Sequence, residues 1–359
     1  MSPTARTLLT GSLLALIATP ILAQREPREG NQDKKLSRSC SREVLQVCGS
    51  EPTSVKQCLR TYSSALSNSC QKQVRKRIDL KEKNPAPRRT FVPTLRPTRS
   101  VLFGSHQRQR IDIFEPEGAV EPLPLVLFIH GGGWSVGSHT NVQSKPLYYR
   151  KRDIYFASTG YRLLPDTPVE DQARDVGAAI RALVGQANFL GFDPSRVVLM
   201  GHSSGAHLAA LVAADPQYAG EAFGSIKGAV LLDGAAYDVA QIMEDAPFVA
   251  KRVYEDAFGF NADRQKALSP LTHIGEADAP HWLALYDENR DVAKKQVDQL
   301  VSALTASGRS AQAIAIPDTD HTRMNRDIGT PKGQAQTQAI DAFLERAFAI
   351  TDEPDEAAN

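Results

Sequence analysis

A serine lies between two glycines at the point where a predicted strand meets a predicted helix. Residues 201–205 read Gly-His-Ser-Ser-Gly, after the largely apolar run Arg-Val-Val-Leu-Met at 196–200 and before the alanine-rich run Ala-His-Leu-Ala-Ala at 206–210. A serine in so tight a turn projects its hydroxyl at the top of a sheet, where a base and a substrate carbonyl can reach it. The alternative is an ordinary strand-to-helix turn. The pattern favours Ser203 as the nucleophile of an acyl transfer.

Three consecutive glycines follow an earlier apolar strand. Residues 125–134 read Leu-Val-Leu-Phe-Ile-His-Gly-Gly-Gly-Trp. Glycines leave backbone N–H groups free to point into a site, because no Cβ is in the way. We expect the N–H groups of Gly132, Gly133 and Ser204 to hold the oxyanion of a tetrahedral intermediate. Losing one such donor costs about 3–4 kcal/mol of transition-state stabilisation.

A base must reach the same sheet edge as the serine. Four histidines follow Ser203, at positions 207, 273, 281 and 321. His207 lies on the helix behind the serine, where a hydrogen-bonded structural role is the commoner one. His273 and His281 precede the last predicted strand, which is too early for the base in the usual chain order. His321 follows the apolar run 313–316, on a loop after a strand, and is the predicted base.

An acid should orient that base. The strand 281–286 is followed by Asp287, Glu288 and Asp291, and we favour Asp291 because the helix-forming residues 292–296 follow it directly. Asp233, after the apolar residues 230–232, is the lesser alternative. The order Ser203, Asp291, His321 is the Ser…Asp…His order of α/β-hydrolases. In such a triad the histidine moves the serine proton and the aspartate fixes the tautomer.

The rest of this region alternates between strand and helix patterns. Predicted strands cover 110–114, as an early edge strand, and 154–157, 226–232 and 281–286; predicted helices cover 175–187, 292–306 and 338–348. This alternation predicts an α/β fold, a mostly parallel sheet with helices on both faces. The site then belongs at the carboxyl ends of the strands. The stretch 238–257, with Phe248 and Tyr254, either forms a wall over the acyl pocket or is plain helix packing.

These motifs together carry a family resemblance over about residues 123–348. The segments that carry it are His-Gly-Gly-Gly-Trp at 130–134, Gly-Tyr-Arg-Leu-Leu-Pro at 160–165, 170–176, 191–196 and 201–207. They resemble an α/β-hydrolase of the esterase group, close to its arylformamidase-like and feruloyl-esterase-like branches. The resemblance implies hydrolysis of a carboxylic ester, or less often of an aryl amide. We expect a small-molecule or polymer-linked ester as the substrate, and the triad mechanism needs no metal or organic cofactor. Ser204 departs from the alanine common there, but a backbone donor tolerates the hydroxyl.

The overall composition is that of an ordinary globular protein. A chain of 359 residues with net charge +1 and 42% apolar residues has room for one large domain and a small one, and nothing in it indicates a nucleic-acid partner. Residues 1–23 read as a signal peptide, with Arg6, an apolar core and Ala23 before polar residues. The alternative is a tail with an apolar patch. The signal predicts an exported protein, periplasmic or secreted.

All four cysteines, Cys40, Cys48, Cys58 and Cys70, lie in one short segment. Their even number in an exported chain predicts disulfides rather than zinc binding, which uses closer pairs. Two antiparallel helices within 36–76 would pair Cys48 with Cys58 and Cys40 with Cys70. The segment resembles a cysteine-rich repeat of Golgi glycoprotein type. A hairpin this small depends on its bridges for stability.

A basic, proline-rich segment at 77–100 joins this hairpin to the hydrolase domain at 101–350, and an acidic tail covers 351–359. Between Lys72 and Arg110 there are twelve lysines and arginines against two acids. The segment fits a solvated, extended linker. Its functional alternative is a patch that docks on anionic envelope lipid or polysaccharide.

The leading hypothesis is an exported serine hydrolase that cleaves esters through an acyl-enzyme. One alternative keeps the triad and cleaves an aryl amide. Another, from a different class, is an envelope-binding module whose hydrolase domain is an inactive scaffold. Replacing Ser203 with alanine separates them, because binding survives that change and turnover does not.

Overall fold

The computed structural model describes residues 36–44 without 38 and 42, 66–77, and 95–349 without 120, 121, 247 and 276. The chain divides after Phe91 into two compact units. The predicted signal peptide, the Cys48–Cys58 pair, most of the linker and the acidic tail lie outside the described residues. In the part that the structure describes, no helix is long and apolar enough to cross a membrane.

The first unit holds one disulfide in its described part. Cys40 is bonded to Cys70, on helix α1 (Asn68–Arg77), with their Cα atoms 4.9 Å apart. Both cysteines are buried, as are Val44, Leu66 and Val74. The pairing is the outer one of the predicted nested arrangement.

The second unit is built on an eight-stranded sheet. Its strands are β1 (Arg99–Leu102), β2 (Arg110–Phe114), β3 (Leu123–Ile129), β4 (Tyr155–Thr159), β5 (Phe192–His202), β6 (Ile226–Leu232), β7 (His281–Asp287) and β8 (Ser310–Ile316). Their order is β1-β2-β4-β3-β5-β6-β7-β8. The β1–β2 and β2–β4 pairs are antiparallel and the others parallel. The segment 110–114 is therefore not the edge strand that its alternation predicts, because β1 pairs outside it.

Helices cover both faces of this sheet. They are α2 (Lys145–Tyr149), α3 (Val169–Val184), α4 (Ala187–Leu190), α5 (Ser204–Ala214), α6 (Pro216–Ala219), α7 (Val239–Asp245), α8 (Phe248–Phe258), α9 (Ala262–Ala267), α10 (Asp291–Ala306), α11 (His321–Arg326) and α12 (Gln334–Phe348). One apolar core lies under α3, α5 and α10, and a second lies under α2, α11 and α12. The predicted α/β-hydrolase architecture is confirmed.

Helix α3 shows how the sequence places these elements. Its buried residues include Val169, Ala173, Val176 and Ile180, spaced three or four apart, so one face meets the sheet. Glu170 and Asp171 in its first turn favour a helix start, because negative charge there interacts favourably with the positive end of the helix dipole. The helix begins at Val169, six residues before the predicted 175.

Candidate active site

Ser203 stands at the turn between β5 and α5. Its backbone has φ 56° and ψ −123°, a region that non-glycine residues enter at a cost of about 1–3 kcal/mol. The turn is fixed by the Ser203 N–H, which donates to Leu232 O on the neighbouring strand at 3.0 Å. A Cβ on Gly205 would lie 2.2 Å from Ile129 O, so only glycine lets α5 approach β3 this closely. The sheet thus holds the serine at its carboxyl edge.

His321 reaches Ser203 from the loop after β8. Its Nε2 lies 3.0 Å from Ser203 Oγ. His321 is the first residue of α11, and the Asp320 side chain caps this helix by accepting from the Arg323 N–H at 2.7 Å. The ring of His202 donates from Nε2 to His321 O at 2.8 Å. Two neighbours therefore fix the backbone that carries the imidazole.

Asp233 completes the arrangement on the far side of the imidazole. Its Oδ2 accepts from His321 Nδ1 at 2.6 Å, which leaves Nε2 as the acceptor facing Ser203. Asp233 follows β6 with φ 49°. Burial acts to raise the pKa of this carboxyl, but the His321 hydrogen bond and the Arg290 charge outweigh it and hold the pKa at about 2. The carboxylate is therefore ionised throughout the neutral range.

The prediction of Asp291 as the acid is wrong. Asp291 is exposed at the first position of α10, and it makes no hydrogen bond or ion pair with His321 in the part of the chain that the structure describes. A carboxylate in a helix's first turn is favoured by the helix dipole, which accounts for its place. Asp287 likewise makes no hydrogen bond or ion pair with His321 among the described residues, and its Oδ1 accepts from the Asn289 N–H at 3.0 Å. The lesser alternative, Asp233, occupies the position.

The glycine run lies beside the serine turn. A Cβ on Gly131 would lie 3.0 Å from the Ser203 Cβ, so the two loops touch. Gly132 and Gly133 have φ of 138° and 56°, conformations that favour glycine. Ser204 is the first residue of α5, where backbone N–H groups lack helical partners. The three predicted oxyanion donors thus belong to two adjoining loops at one sheet edge.

An aromatic wall stands next to this edge. Trp134 packs edge-on against Phe258, with centroids 4.9 Å apart, and against Tyr254 at 5.9 Å. Its indole Nε1 donates to His207 Nδ1 at 3.3 Å, and His207 Nε2 donates to Leu268 O at 2.9 Å. Burial lowers the pKa of His207 to about 4, so it is a neutral structural residue, as expected from its helix position.

Helix α8 brings a further side chain to the glycine run. A Cβ on Gly133 would lie 3.0 Å from Val253 Cγ1, and Val253 itself is 42% exposed. The stretch 238–257 therefore borders the glycine run, while the side chain of Phe248 lies outside the described residues. A metal has no candidate site here, since no group of three or more His, Cys, Asp or Glu side chains in the described ranges could hold one.

Sequence reasoning missed one residue at this site, Arg290. Its guanidinium pairs with Asp233 Oδ2, donates to Asp233 O at 3.1 Å and lies 2.9 Å from His321 Nδ1. Arg290 lies in the loop predicted to supply the acid, one residue before Asp291. A basic residue within that loop is the only signal of its role that the sequence carries.

Comparison with known proteins identifies the relatives of this region. Residues 111–304 match the family model described as BD-FAE. The isoprenylcysteine alpha-carbonyl methylesterase of Arabidopsis thaliana is 33% identical over 112 residues, which are 31% of this chain and 26% of that protein. The kynurenine formamidase of Danio rerio is 24% identical over 62% of this chain and 73% of its own length. The chain thus spans about a quarter of the methylesterase it matches.

Solved structures agree in fold. A thermophilic esterase of the planctomycete Thermogutta terrifontis superposes with a TM-score of 0.58 at 22% identity, covering 71% of this chain and 95% of that one. Esterase B of Lactobacillus rhamnosis superposes with a TM-score of 0.57 at 21% identity, over 69% of this chain and 84% of that one. At these identities the likeness concerns the fold.

Proposed function

The chain belongs to the BD-FAE family of α/β-hydrolases, and from its site we propose that it is a serine hydrolase that cleaves carboxylic esters through an acyl-enzyme. One observation carries the proposal. Ser203 Oγ, His321 and Asp233 form a continuous hydrogen-bonded chain, with distances of 3.0 and 2.6 Å. Residues that are far apart in the sequence meet in the order that moving the serine proton requires.

The reaction follows from the position of each group. Ser203 Oγ attacks the ester carbonyl carbon while His321 Nε2 takes its proton, and Asp233 stabilises the resulting imidazolium. The carbonyl oxygen becomes an oxyanion held by the N–H groups of Gly132, Gly133 and Ser204. His321 then gives the proton to the leaving alcohol, which departs and leaves an acyl-serine. A water molecule, activated by the same histidine, releases the acid and restores the hydroxyl.

Release of p-nitrophenol from acetate, butyrate and octanoate esters tests this proposal, with Ser203→Ala as the comparison. We expect turnover by the wild type and a loss of about 10⁶-fold in the variant, as for nucleophiles of this kind. A fluorophosphonate should add its mass to the wild type and not to Ser203→Ala. Wild-type protein that is folded but inactive on all three esters would contradict the ester hydrolase proposal.

A second candidate is hydrolysis of an aryl amide. The relative that matches over the larger share of this chain is a kynurenine formamidase, at 24% identity. The same triad serves either substrate, since an amine replaces the alcohol as leaving group. Comparing kcat/KM for an N-formyl aniline with that for phenyl formate decides between them, because the acyl group is then held constant.

We also propose that the protein is exported. The signal-like residues 1–23 motivate this, and the Cys40–Cys70 bond supports it, because disulfides persist in oxidising compartments. A contact between the basic segment at 77–100 and an anionic envelope surface stays a prediction. Mass spectrometry of the protein from the periplasmic and culture fractions would test export, and a full-length chain found in the cytosol would contradict it.

A further inference from the structure

Arg290 contacts two members of the proposed triad, and the mechanism above gives it no role. Its Nη1 donates to Asp233 Oδ2 and lies 2.9 Å from His321 Nδ1. Since an arginine only donates and Nδ1 donates to Asp233, the two nitrogens are donors aimed at one oxygen. The close Nη1···Nδ1 approach is the consequence of sharing that oxygen.

The end of β7 and the loop after it supply a donor to each oxygen of the Asp233 carboxylate. Asp233 Oδ1 accepts from the Asp287 N–H at 3.1 Å, and Oδ2 accepts from Arg290 and His321. The Asp233 side chain is fully buried, while the Arg290 side chain is 33% exposed. A buried carboxylate with donors on both oxygens has one orientation, and Arg290 supplies one of the donors that set it.

The guanidinium of Arg290 also lies against the imidazole. In the part of the chain that the structure describes, the charged or titratable groups around His321 are Asp233 after β6, Arg290 in the β7–α10 loop and His202 on β5, with Lys145, Tyr237 and Tyr254 further out. Burial lowers the pKa of His202 to about 3, so this ring is neutral. Among these groups, Arg290 is the cation in contact with His321.

We propose that Arg290 is a positioning residue, which fixes the Asp233 carboxylate in the orientation that pairs with His321. The proposal rests on the proposed ester hydrolase function and adds a positioning residue to the same site. It assigns Arg290 no contact with substrate. Its effect passes through Asp233 and His321.

The test compares Arg290→Met and Arg290→Lys with the wild type and with a matched control, Arg309→Met. Arg309 forms the same kind of pair, 2.9 Å from Asp278, with side-chain exposures of 30% and 0%. For p-nitrophenyl butyrate we expect Arg290→Met to lower kcat about tenfold with little change in KM. Arg290→Lys keeps a cationic donor that can bond Asp233 Oδ2, so it should recover most of the lost kcat. Arg309→Met should keep both kcat and KM.

Several outcomes would overturn the proposal. One is a kcat in Arg290→Met that matches the wild type, or a loss that falls on KM alone; another is an equal loss of kcat in Arg309→Met. If Arg290→Met does not fold, Arg290→Gln makes the same comparison. The rate at which a fluorophosphonate labels Ser203 makes this comparison without ester turnover. If the wild type is labelled rapidly and Arg290→Met slowly while no ester is cleaved, the ester hydrolase proposal fails and the positioning proposal stands. A wild type that is not labelled would overturn both.

Discussion

The backbone N–H of Asp287 donates to Asp233 Oδ1 over 3.1 Å, across 54 positions of sequence. Asp287 ends β7, and Asp233 follows the neighbouring strand β6. The β7 loop therefore holds the acid of the proposed triad instead of supplying it. The acid side chain and the groups that orient it come from different strands, and this division determines which carboxylate should matter for turnover.

Asp233→Asn should lower kcat by about 10⁴-fold, because an amide no longer fixes the His321 tautomer. Asp291→Asn should leave kcat within about twofold, since the carboxylate it removes is an exposed helix-terminal group. The measurement is kcat on p-nitrophenyl butyrate at pH 8. Circular dichroism of both variants is the control for folding. Equal losses in the two variants would contradict the assignment of Asp233.

The sequence alone allows a prediction of the sheet, the serine turn and the base, but not of the acid. Ser203 has glycines on both sides at the end of a buried strand, and His321 is the histidine that follows the last strand. Both β6 and β7 end in aspartate-containing loops, and the strands are neighbours in the sheet, so either could deliver a carboxylate to the same edge. Asp233 reaches His321 from a backbone with φ 49°, a conformation that the residue types around it do not predict.

His207, which is buried beside Trp134, should make the free energy of unfolding depend on pH in the acid range. Burial lowers the pKa of His207 to about 4, whereas an unfolded chain protonates histidine near 6.5. The unfolded state therefore binds more protons between these values, and the free energy of unfolding falls as pH drops from 6.5 to 4. In His207→Gln this fall should be about 3 kcal/mol smaller over that range.

Urea unfolding at pH 7.5 and pH 4.5 measures this difference, and exposed His106→Gln is the control. His130 and His202 are also buried with lowered pKa values, so part of the acid dependence should persist in His207→Gln. At pH 7.5 the variant should be about 1–3 kcal/mol less stable, because the flexible amide does not reproduce the geometry of the ring's hydrogen bonds with the Trp134 Nε1–H and Leu268 O. A variant with the full wild-type acid dependence would contradict a neutral His207.

Lys145 should make stability depend on pH in the alkaline range. Its side chain is fully buried over the Phe128 ring, and its Nζ donates to Asn325 O at 2.8 Å. Burial lowers the pKa of this amine to about 7, against about 10.4 in an unfolded chain. Since the unfolded state then holds the extra proton between those values, stability should rise with pH from 7 to 10.

Lys145→Met should abolish this rise while keeping the side-chain length. Relative to the wild type, the variant should therefore have its highest free energy of unfolding near pH 6. This advantage should shrink steadily towards pH 10. Urea unfolding at four pH values gives the comparison, with exposed Lys332→Met as the control. If the wild type and Lys145→Met run parallel across this range, the amine does not lose its charge on folding.

Val253 should limit the size of the acyl group. A Cβ on Gly133 would lie 3.0 Å from Val253 Cγ1, so the side chain stands against one of the proposed oxyanion donors. An acyl chain bound with its carbonyl oxygen on Gly133 must pass this valine. Val253→Ala should therefore raise kcat/KM for octanoate over acetate by about tenfold, the effect of one or two methyl groups in an apolar pocket. Leu102→Ala, an exposed apolar residue on the edge strand β1, is the control. If Val253→Ala has the same octanoate-to-acetate ratio of kcat/KM as the wild type, the acyl chain contacts other side chains. The Trp134 and Tyr254 rings would then be the next side chains to replace.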